Sequence, residues 1–139
     1  MAGFETWKTI DVAGDEGDIV IRCRAAAPPP MKREKLPHLV MVGWAYEDTA
    51  RTGMPPADEL RQMETFEASV GKALDAAGAG ILVASVTGMG AREWRYYTAD
   101  PDAFMDALNE ALDEQPEYPL DFKAFEDPEW GALLDLLED

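Results

Sequence analysis

Apolar and polar residues follow two different periods along this chain, and each period predicts one kind of secondary structure. Residues 4–12 and 18–25 have the pattern of strands, and in the second strand Ile19, Ile21 and Cys23 alternate with the side chains between them. The loop between these strands contains two glycines, which favour a tight connection. The chain is therefore predicted to open with a β-hairpin.

The middle of the chain contains apolar runs that predict strands and one amphipathic segment that predicts a helix. Residues 38–47 are apolar almost throughout, which is typical of an interior strand covered on both faces. Residues 57–77 place apolar side chains at steps of three or four, which predicts a long helix. Residues 81–86 predict the next strand, and the turn Gly88-Met89-Gly90 leads into another strand at 92–98.

Two acid–proline pairs predict where the remaining helices begin. Asp100-Pro101 and Asp127-Pro128 each combine a side-chain acceptor with a proline suited to the first helical turn. Amphipathic stripes follow both pairs, and a short strand over residues 118–126 is predicted between them. The last part of the chain is thus expected to be helix, strand, helix.

This order predicts an α+β fold with a ferredoxin-like split β-α-β core over residues 38–126. The hairpin at 4–25 and a helix at 128–137 complete a single domain of 139 residues. Right-handed crossovers predict that strands 38–47 and 92–98 lie side by side in the sheet centre, parallel to each other, with both core helices on one face. The hairpin either extends an edge or covers the other face.

Charge limits the classes of partner. The net charge is -16, and it is concentrated beyond residue 51, where 5 Lys+Arg face 20 Asp+Glu. Such a field disfavours direct binding to nucleic acid and to anionic membranes, and it attracts basic protein partners. The alternative is that acidity only maintains solubility.

The remaining composition predicts a soluble, cytoplasmic protein. No apolar run approaches the length of a membrane span, and the N-terminal residues lack the features of a signal peptide. The single cysteine, Cys23, excludes an internal disulfide and fits a reducing compartment. The sequence leaves open whether the protein is a monomer or a homodimer.

Catalytic chemistry has little support in the sequence. With one histidine and one cysteine, no zinc cluster, catalytic residue or cofactor is predicted. Cys23 is interpreted as a core residue and His38 as a residue at the rim of a strand. A nucleophilic pair of the two is the less favoured alternative, which is conceivable because their strands could lie near each other. Gly88-Met89-Gly90 leads into a strand, so it is interpreted as a turn and not as a phosphate loop.

Two candidate surfaces emerge. Arg92, Trp94 and Tyr96 share one face of a central strand, and Trp44 on the adjacent strand joins them, an aromatic and arginine set typical of binding hot spots. This set predicts a small-ligand or enzyme pocket if it lies on the open face of the sheet. Otherwise, the hairpin or the last helix covers it.

The second surface lies on the helix that follows Asp100. Its polar side carries several acidic side chains at steps of three or four residues. Like charges at this spacing destabilise a helix, which suggests a functional role. The alternative is an acidic face that is simply solvated. We predict that this surface binds a basic protein segment. It comprises Asp102, Asp106, Glu110, Asp113 and Glu114.

Several separated motifs resemble the uncharacterised bacterial family known as domain of unknown function 695. They are Trp44-x-Tyr46, Phe66-Glu67-x-x-Val70, Thr87-Gly88-x-Gly90-x-Arg92-Glu93-Trp94-x-Tyr96-Tyr97-Thr98-x-Asp100 and Asp127-Pro128-x-Trp130. The resemblance implies a small bacterial protein, sometimes joined or related to the regulator of ribonuclease activity B. That regulator is an acidic ferredoxin-like protein that inhibits ribonuclease E by binding it. No catalytic residues come with the resemblance, so the expected function is a non-enzymatic interaction or regulatory role.

Overall fold

The computed structural model describes residues 4–14, 17–47, 53–113, 115 and 118–137. No helix in this part of the chain is long and apolar enough to cross a membrane. Its elements in chain order are β1 (Trp7–Gly14), β2 (Gly17–Arg24), α1 (Pro30–Lys35), β3 (His38–Ala45), α2 (Ala57–Ala77), β4 (Ile81–Gly88), β5 (Ala91–Thr98), α3 (Pro101–Leu112), β6 (Leu120–Glu126) and α4 (Gly131–Leu137).

The six strands form one sheet in the order β1-β2-β4-β5-β3-β6. The four strands β4-β5-β3-β6 have the ferredoxin-like order, which confirms the predicted α+β fold. The N-terminal hairpin extends the sheet, because β2 pairs with the outer edge of β4.

One detail of the predicted topology is wrong. Strands β3 and β5 are neighbours, as expected, but they are antiparallel and not parallel. The reason is that each crossover joins two strands with a third one between them. Helix α2 joins β3 to β4 with β5 in between, and α3 joins β5 to β6 with β3 in between. The parallel strands are therefore never adjacent.

Helices α2 and α3 bury the main core against one face of the sheet. Helix α2 keeps the bounds that the apolar stripe predicted, and it ends at Gly78, whose φ of 61° is the left-handed conformation that glycine adopts readily. Burial of one large apolar side chain, such as Leu, Val, Met or Phe, stabilises the folded state by about 1.5–3 kcal/mol. The buried residues of the two helices are Met63, Phe66, Val70, Leu74, Phe104, Ala107 and Leu108.

A second apolar cluster lies on the opposite face of the sheet, where α4 covers it. The ring of Trp130 stacks on Tyr97 with centroids 4.0 Å apart and planes inclined by 3°. Leu133 and Cys23 are buried in the same cluster. The indole nitrogen of Trp130 donates to the carbonyl oxygen of Leu36 at 2.9 Å, which joins α4 to the chain just before β3.

The connector before β3 contains a short helix. Within residues 25–37, Pro30–Lys35 forms α1. Pro29 has extended backbone angles, with φ -56° and ψ 152°, and Pro30 occupies the start of the helix. A proline is tolerated there because the N–H that it lacks has no partner in the first turn.

The last helix begins at Gly131, three residues later than the sequence predicted. Asp127 does cap it, but across an intervening turn. Its carboxylate oxygens accept hydrogen bonds from the backbone N–H groups of Gly131 at 2.9 Å and Ala132 at 3.0 Å, and from the Tyr97 hydroxyl at 2.6 Å. Trp130 has a φ of 61°, which redirects the chain into the helix.

The turn between β4 and β5 confirms the interpretation of Gly88-Met89-Gly90 as a hairpin. Gly88 and Gly90 have φ values of 154° and 84°, and Met89 has 55°. A Cβ atom on Gly88 would also lie 2.9 Å from the side chain of Ile19. Both the conformation and the close approach therefore require glycine at this position.

Replacing Asp127 with alanine is expected to destabilise the protein by about 2–4 kcal/mol, because it removes two helix-capping bonds and leaves the Tyr97 hydroxyl without its acceptor. Asp100→Ala is the matched control, since the Asp100 side chain makes a single capping bond to the N–H of Asp102, and its loss should cost about 1 kcal/mol. Urea unfolding followed by tryptophan fluorescence measures both. Equal losses in the two variants would contradict the role assigned to Asp127.

Candidate functional site

The structure brings the predicted aromatic set together but places it in the interior. Strands β3 and β5 direct Trp44, Trp94 and Tyr96 toward α2 and α3, and none of the three is more than 1% exposed. The rings of Trp44 and Trp94 are 6.2 Å apart. The cover is thus the helix pair, and not the hairpin or the last helix. The set does not form an exposed surface, and ligand binding by it stays a prediction.

Two carboxylates of α2 hold the buried indole rings. From the sequence, Glu67 was named only as part of a family motif, and Glu59 was not named. Glu59 accepts a hydrogen bond from the indole nitrogen of Trp44 at 2.8 Å. Glu67 accepts one from Trp94 at 2.8 Å and pairs with Arg22 of β2 at 3.3 Å. The two glutamates are eight residues apart, so they lie two turns apart along one side of α2. This spacing beside the apolar stripe was the signal available in the sequence.

Arg92 is one of two members of the set with a buried donor that has no hydrogen-bond partner among the described residues. Its Nε atom is buried without a hydrogen-bond partner, and its Nη1 lies 3.9 Å from the sulfur of Met63. Burial lowers the pKa of the Arg92 guanidinium, and the carboxylates of Glu67 and Glu64 partly counteract this effect. Among the described residues, no carboxylate lies within salt-bridge distance of Arg92.

Tyr96 carries a second unpartnered polar atom. Its hydroxyl is buried and has no hydrogen-bond partner in the described structure, and its ring packs 5.0 Å from that of Phe104. Burial raises the pKa of Tyr96 far above its ordinary value, and the nearby carboxylate of Glu67 adds to this. The hydroxyl therefore stays protonated at neutral pH.

The alternative of a nucleophilic pair between Cys23 and His38 is wrong. Cys23 lies on β2 and His38 on β3, and β4 and β5 separate these strands. At the usual spacing of strands, the two backbones are about 14 Å apart. Burial also raises the pKa of the Cys23 thiol, which disfavours the reactive thiolate.

The acidic surface predicted on α3 is exposed. Asp102, Asp106, Glu110 and Asp113 all face solvent, and none takes part in the three salt bridges found among the described residues. Four-residue steps on a helix advance by only about 40°, so these carboxylates form one stripe. Glu114, the fifth predicted member, lies outside the described residues.

The basic cluster of α1 does not neutralise this stripe. Lys32, Arg33 and Lys35 lie on the side of the sheet that α4 covers, where Lys32 approaches the ring of Phe4 at 5.0 Å. Helix α3 lies on the other side. Within the described part of the chain, the acidic stripe therefore faces solvent with no basic side chain paired to it.

The chain belongs to the Family of unknown function (DUF695), whose model matches residues 5–137. This range includes the hairpin, the ferredoxin-like core and α4. Neither the curated proteins nor the solved structures compared with the chain include a significant match. The family assignment brings no described activity, and similarity to the ribonuclease regulator stays a prediction.

Tyr96→Phe is expected to leave stability unchanged at neutral pH or to raise it by up to ~1 kcal/mol, because the buried hydroxyl has no partner to lose. Above about pH 10 the unfolded chain releases the tyrosine proton, whereas folded Tyr96 retains it. Wild-type stability should therefore fall with rising pH, at up to about 1.4 kcal/mol per pH unit from this residue, and the variant should fall less steeply.

Tyr97→Phe provides the matched control, because the Tyr97 hydroxyl donates to Asp127. Its loss should cost about 1.5–3 kcal/mol at neutral pH, as for a hydrogen bond to a charged group. Urea titrations at pH 7 and at alkaline pH measure all three proteins. A loss of stability in Tyr96→Phe as large as that in Tyr97→Phe would show that the Tyr96 hydroxyl has a structural partner.

Proposed function

We propose that this member of the family is a non-enzymatic interaction module, in which the exposed face of α3 binds a basic segment of a partner protein. One observation carries the proposal. The stripe of Asp102, Asp106, Glu110 and Asp113 is exposed and takes part in none of the salt bridges found among the described residues. The charge of -16 extends this attraction over long range, and it disfavours nucleic acid as a direct partner.

The spacing of the stripe suits a particular kind of basic segment. Asp102, Asp106 and Glu110 are each separated by four residues, which corresponds to a rise of about 6 Å per step along a helix. An extended peptide places every second side chain on one side, about 6.6 Å apart. A segment with Lys or Arg at alternate positions therefore fits the stripe in register.

The position of the acids within α3 also favours a binding role. Glu110 lies in the last turn and Asp113 at the C-cap, and the last turn contains no basic residue. The negative end of the helix dipole disfavours acids there by about 0.3–1 kcal/mol each. These acids therefore cost stability, which supports a role for them in binding a partner.

We further propose a cytoplasmic location, which the single cysteine supports because secreted domains of this size commonly carry disulfides. A regulatory contact with an enzyme, as the resemblance to the ribonuclease regulator implies, is one role that such a surface fits. It requires no catalytic residue from this chain.

Reversing two charges at the end of α3 should separate binding from folding. The double variant Glu110→Lys with Asp113→Lys is expected to lose partner binding at least tenfold, because two of the four contacts become repulsive. The same variant should be more stable than the wild type by about 0.5–2 kcal/mol, since lysine suits the end of the helix. Immobilised proteins exposed to native lysate, followed by quantitative mass spectrometry at low and high salt, measure binding, and urea unfolding measures stability.

The control is Glu129→Lys with Asp135→Lys, which changes the net charge equally at exposed positions near α4. It should retain the partners that the wild type retains. Partners kept equally by both double variants, or partners insensitive to salt, would exclude the α3 stripe as their binding surface.

The unpartnered Nε of Arg92 favours a second candidate function, binding of a small ligand that offers a hydrogen-bond acceptor. The nearby Glu64 and Glu67 disfavour anions, so a neutral carbonyl or amide is the expected class. In a thermal-shift screen, amides should then stabilise the wild type and the Arg22→Met variant, and they should not stabilise the Arg92→Met variant. A screen in which amides shift neither the wild type nor Arg22→Met rejects this candidate.

A further inference from the structure

Strand β6 forms one end of the sheet and leaves its outer edge open. It pairs with β3 on one side, and among the described residues no strand pairs with its other side. Residues from Asp121 to Glu126 are exposed, including two large apolar side chains, Phe122 at 38% and Phe125 at 48%. An open edge with exposed apolar side chains is a template for another strand.

The register with β3 assigns each β6 side chain to a face. Phe122 lies opposite Val42, whose side chain is buried under α2 and α3, so Phe122 is on that face. Asp121 and Lys123 lie opposite Gly43 and Met41, on the face that α4 covers. The edge therefore presents an aromatic side chain on one face and an acid and a base two residues apart on the other.

We propose that β6 pairs with β6 of a second copy of this chain, antiparallel and centred on Phe122, so that two sheets join into one. A twofold axis through Phe122 sets Asp121 of each copy opposite Lys123 of the other, which makes two opposite-charge pairs. Shifting the centre by one residue loses this match. A centre at Asp121 sets two acids against each other, and a centre at Lys123 sets two lysines against each other.

The apolar residues fit the same register. Phe122 lies directly opposite Phe122 of the second copy, at the distance of about 4.5–5.5 Å between Cβ atoms where aromatic pairs interact across strands. On the other face, Phe125 lies opposite Pro119 of the second copy, and Pro119 is exposed as well. One alignment thus satisfies both the charges and the two exposed phenylalanines.

The other open edge of the sheet, β1, lacks this complementarity. Its charged residues Lys8 and Asp11 are three positions apart, so they lie on opposite faces and no self-pairing of β1 sets them against each other. A head-to-tail contact between β6 and β1 would build an open chain of copies and not a closed dimer. The complementary charges therefore select β6 of a second copy as the occupant.

The association is expected to be weak and reversible. One pair of strands buries less surface than a typical stable interface, and two copies of charge -16 repel each other. Sedimentation-velocity measurements should therefore cover protein concentrations from about 10 µM to about 1 mM. The salt concentration should be about 0.15 M, which screens the repulsion between distant charges.

Charge reversal and its repair test the register. Asp121→Lys should raise the dimer dissociation constant at least tenfold, because Lys then faces Lys123 twice. Adding Lys123→Asp should restore the wild-type constant, since the opposite-charge pairs re-form with their signs exchanged. Both residues are exposed, so the fold should tolerate these changes, and circular dichroism checks it.

Four results would overturn the proposal. They are a wild type that stays monomeric at the highest concentration, a dimer unaffected by Asp121→Lys, a loss that Lys123→Asp does not repair, and assemblies that grow beyond two copies.

Cross-linking locates the axis when it is carried out at a concentration at which sedimentation shows that both cysteine variants are dimeric to the same extent. With a short bismaleimide, Phe122→Cys should form covalent dimers at least tenfold faster than Ala124→Cys, because Phe122 faces itself and Ala124 faces Leu120. The native Cys23 is buried and should not compete. Equal rates for the two variants would place the axis elsewhere.

Discussion

The structure depends on one constraint, which is that every indole ring buried against the sheet must find an acceptor for its N–H group. On one face, Trp44 donates to Glu59 and Trp94 donates to Glu67, so two hydrogen bonds fix α2 over the sheet. On the other face, Trp130 donates to a backbone carbonyl just before β3, which fixes α4. These bonds add orientation to apolar packing that is not directional by itself, and they set where each helix lies.

This constraint gives a physical meaning to the motifs by which the chain resembles its family. Trp44, Glu67 and Trp94 form the hydrogen-bonded layer under α2, while Asp127 caps α4 and Trp130 stacks against Tyr97. All of them hold helices to the sheet. These motif residues therefore stabilise the fold, and for this reason the predicted aromatic set of Trp44, Trp94 and Tyr96 lies in the core.

Sequence signals within a few residues predicted turns and helix caps well. They predicted contacts between distant parts of the chain much less well. The turn at Gly88 and the cap at Asp100 follow from residue chemistry within a few positions, and the sequence predicted both. The alternation of β5 likewise divided its side chains into two sets. It did not reveal which set faces the helices, because that depends on the sheet order. The late start of α4 was missed for a related reason. Trp130 has a positive φ and stacks on Tyr97, which lies far from it in the sequence.

The acidic stripe on α3 and the edge of β6 can both be used at once, because self-pairing of β6 does not cover α3. A twofold axis perpendicular to a sheet keeps the same face of both copies on the same side. Pairing through β6 therefore places both copies of α3, with their acidic stripes, on one side of the joined sheet. A partner with two basic segments then binds the second stripe at a high effective concentration, so modest affinity at each stripe gives a much stronger combined attachment. Even so, the stripe is complete within one copy, so pairing changes the strength of binding and not its chemistry.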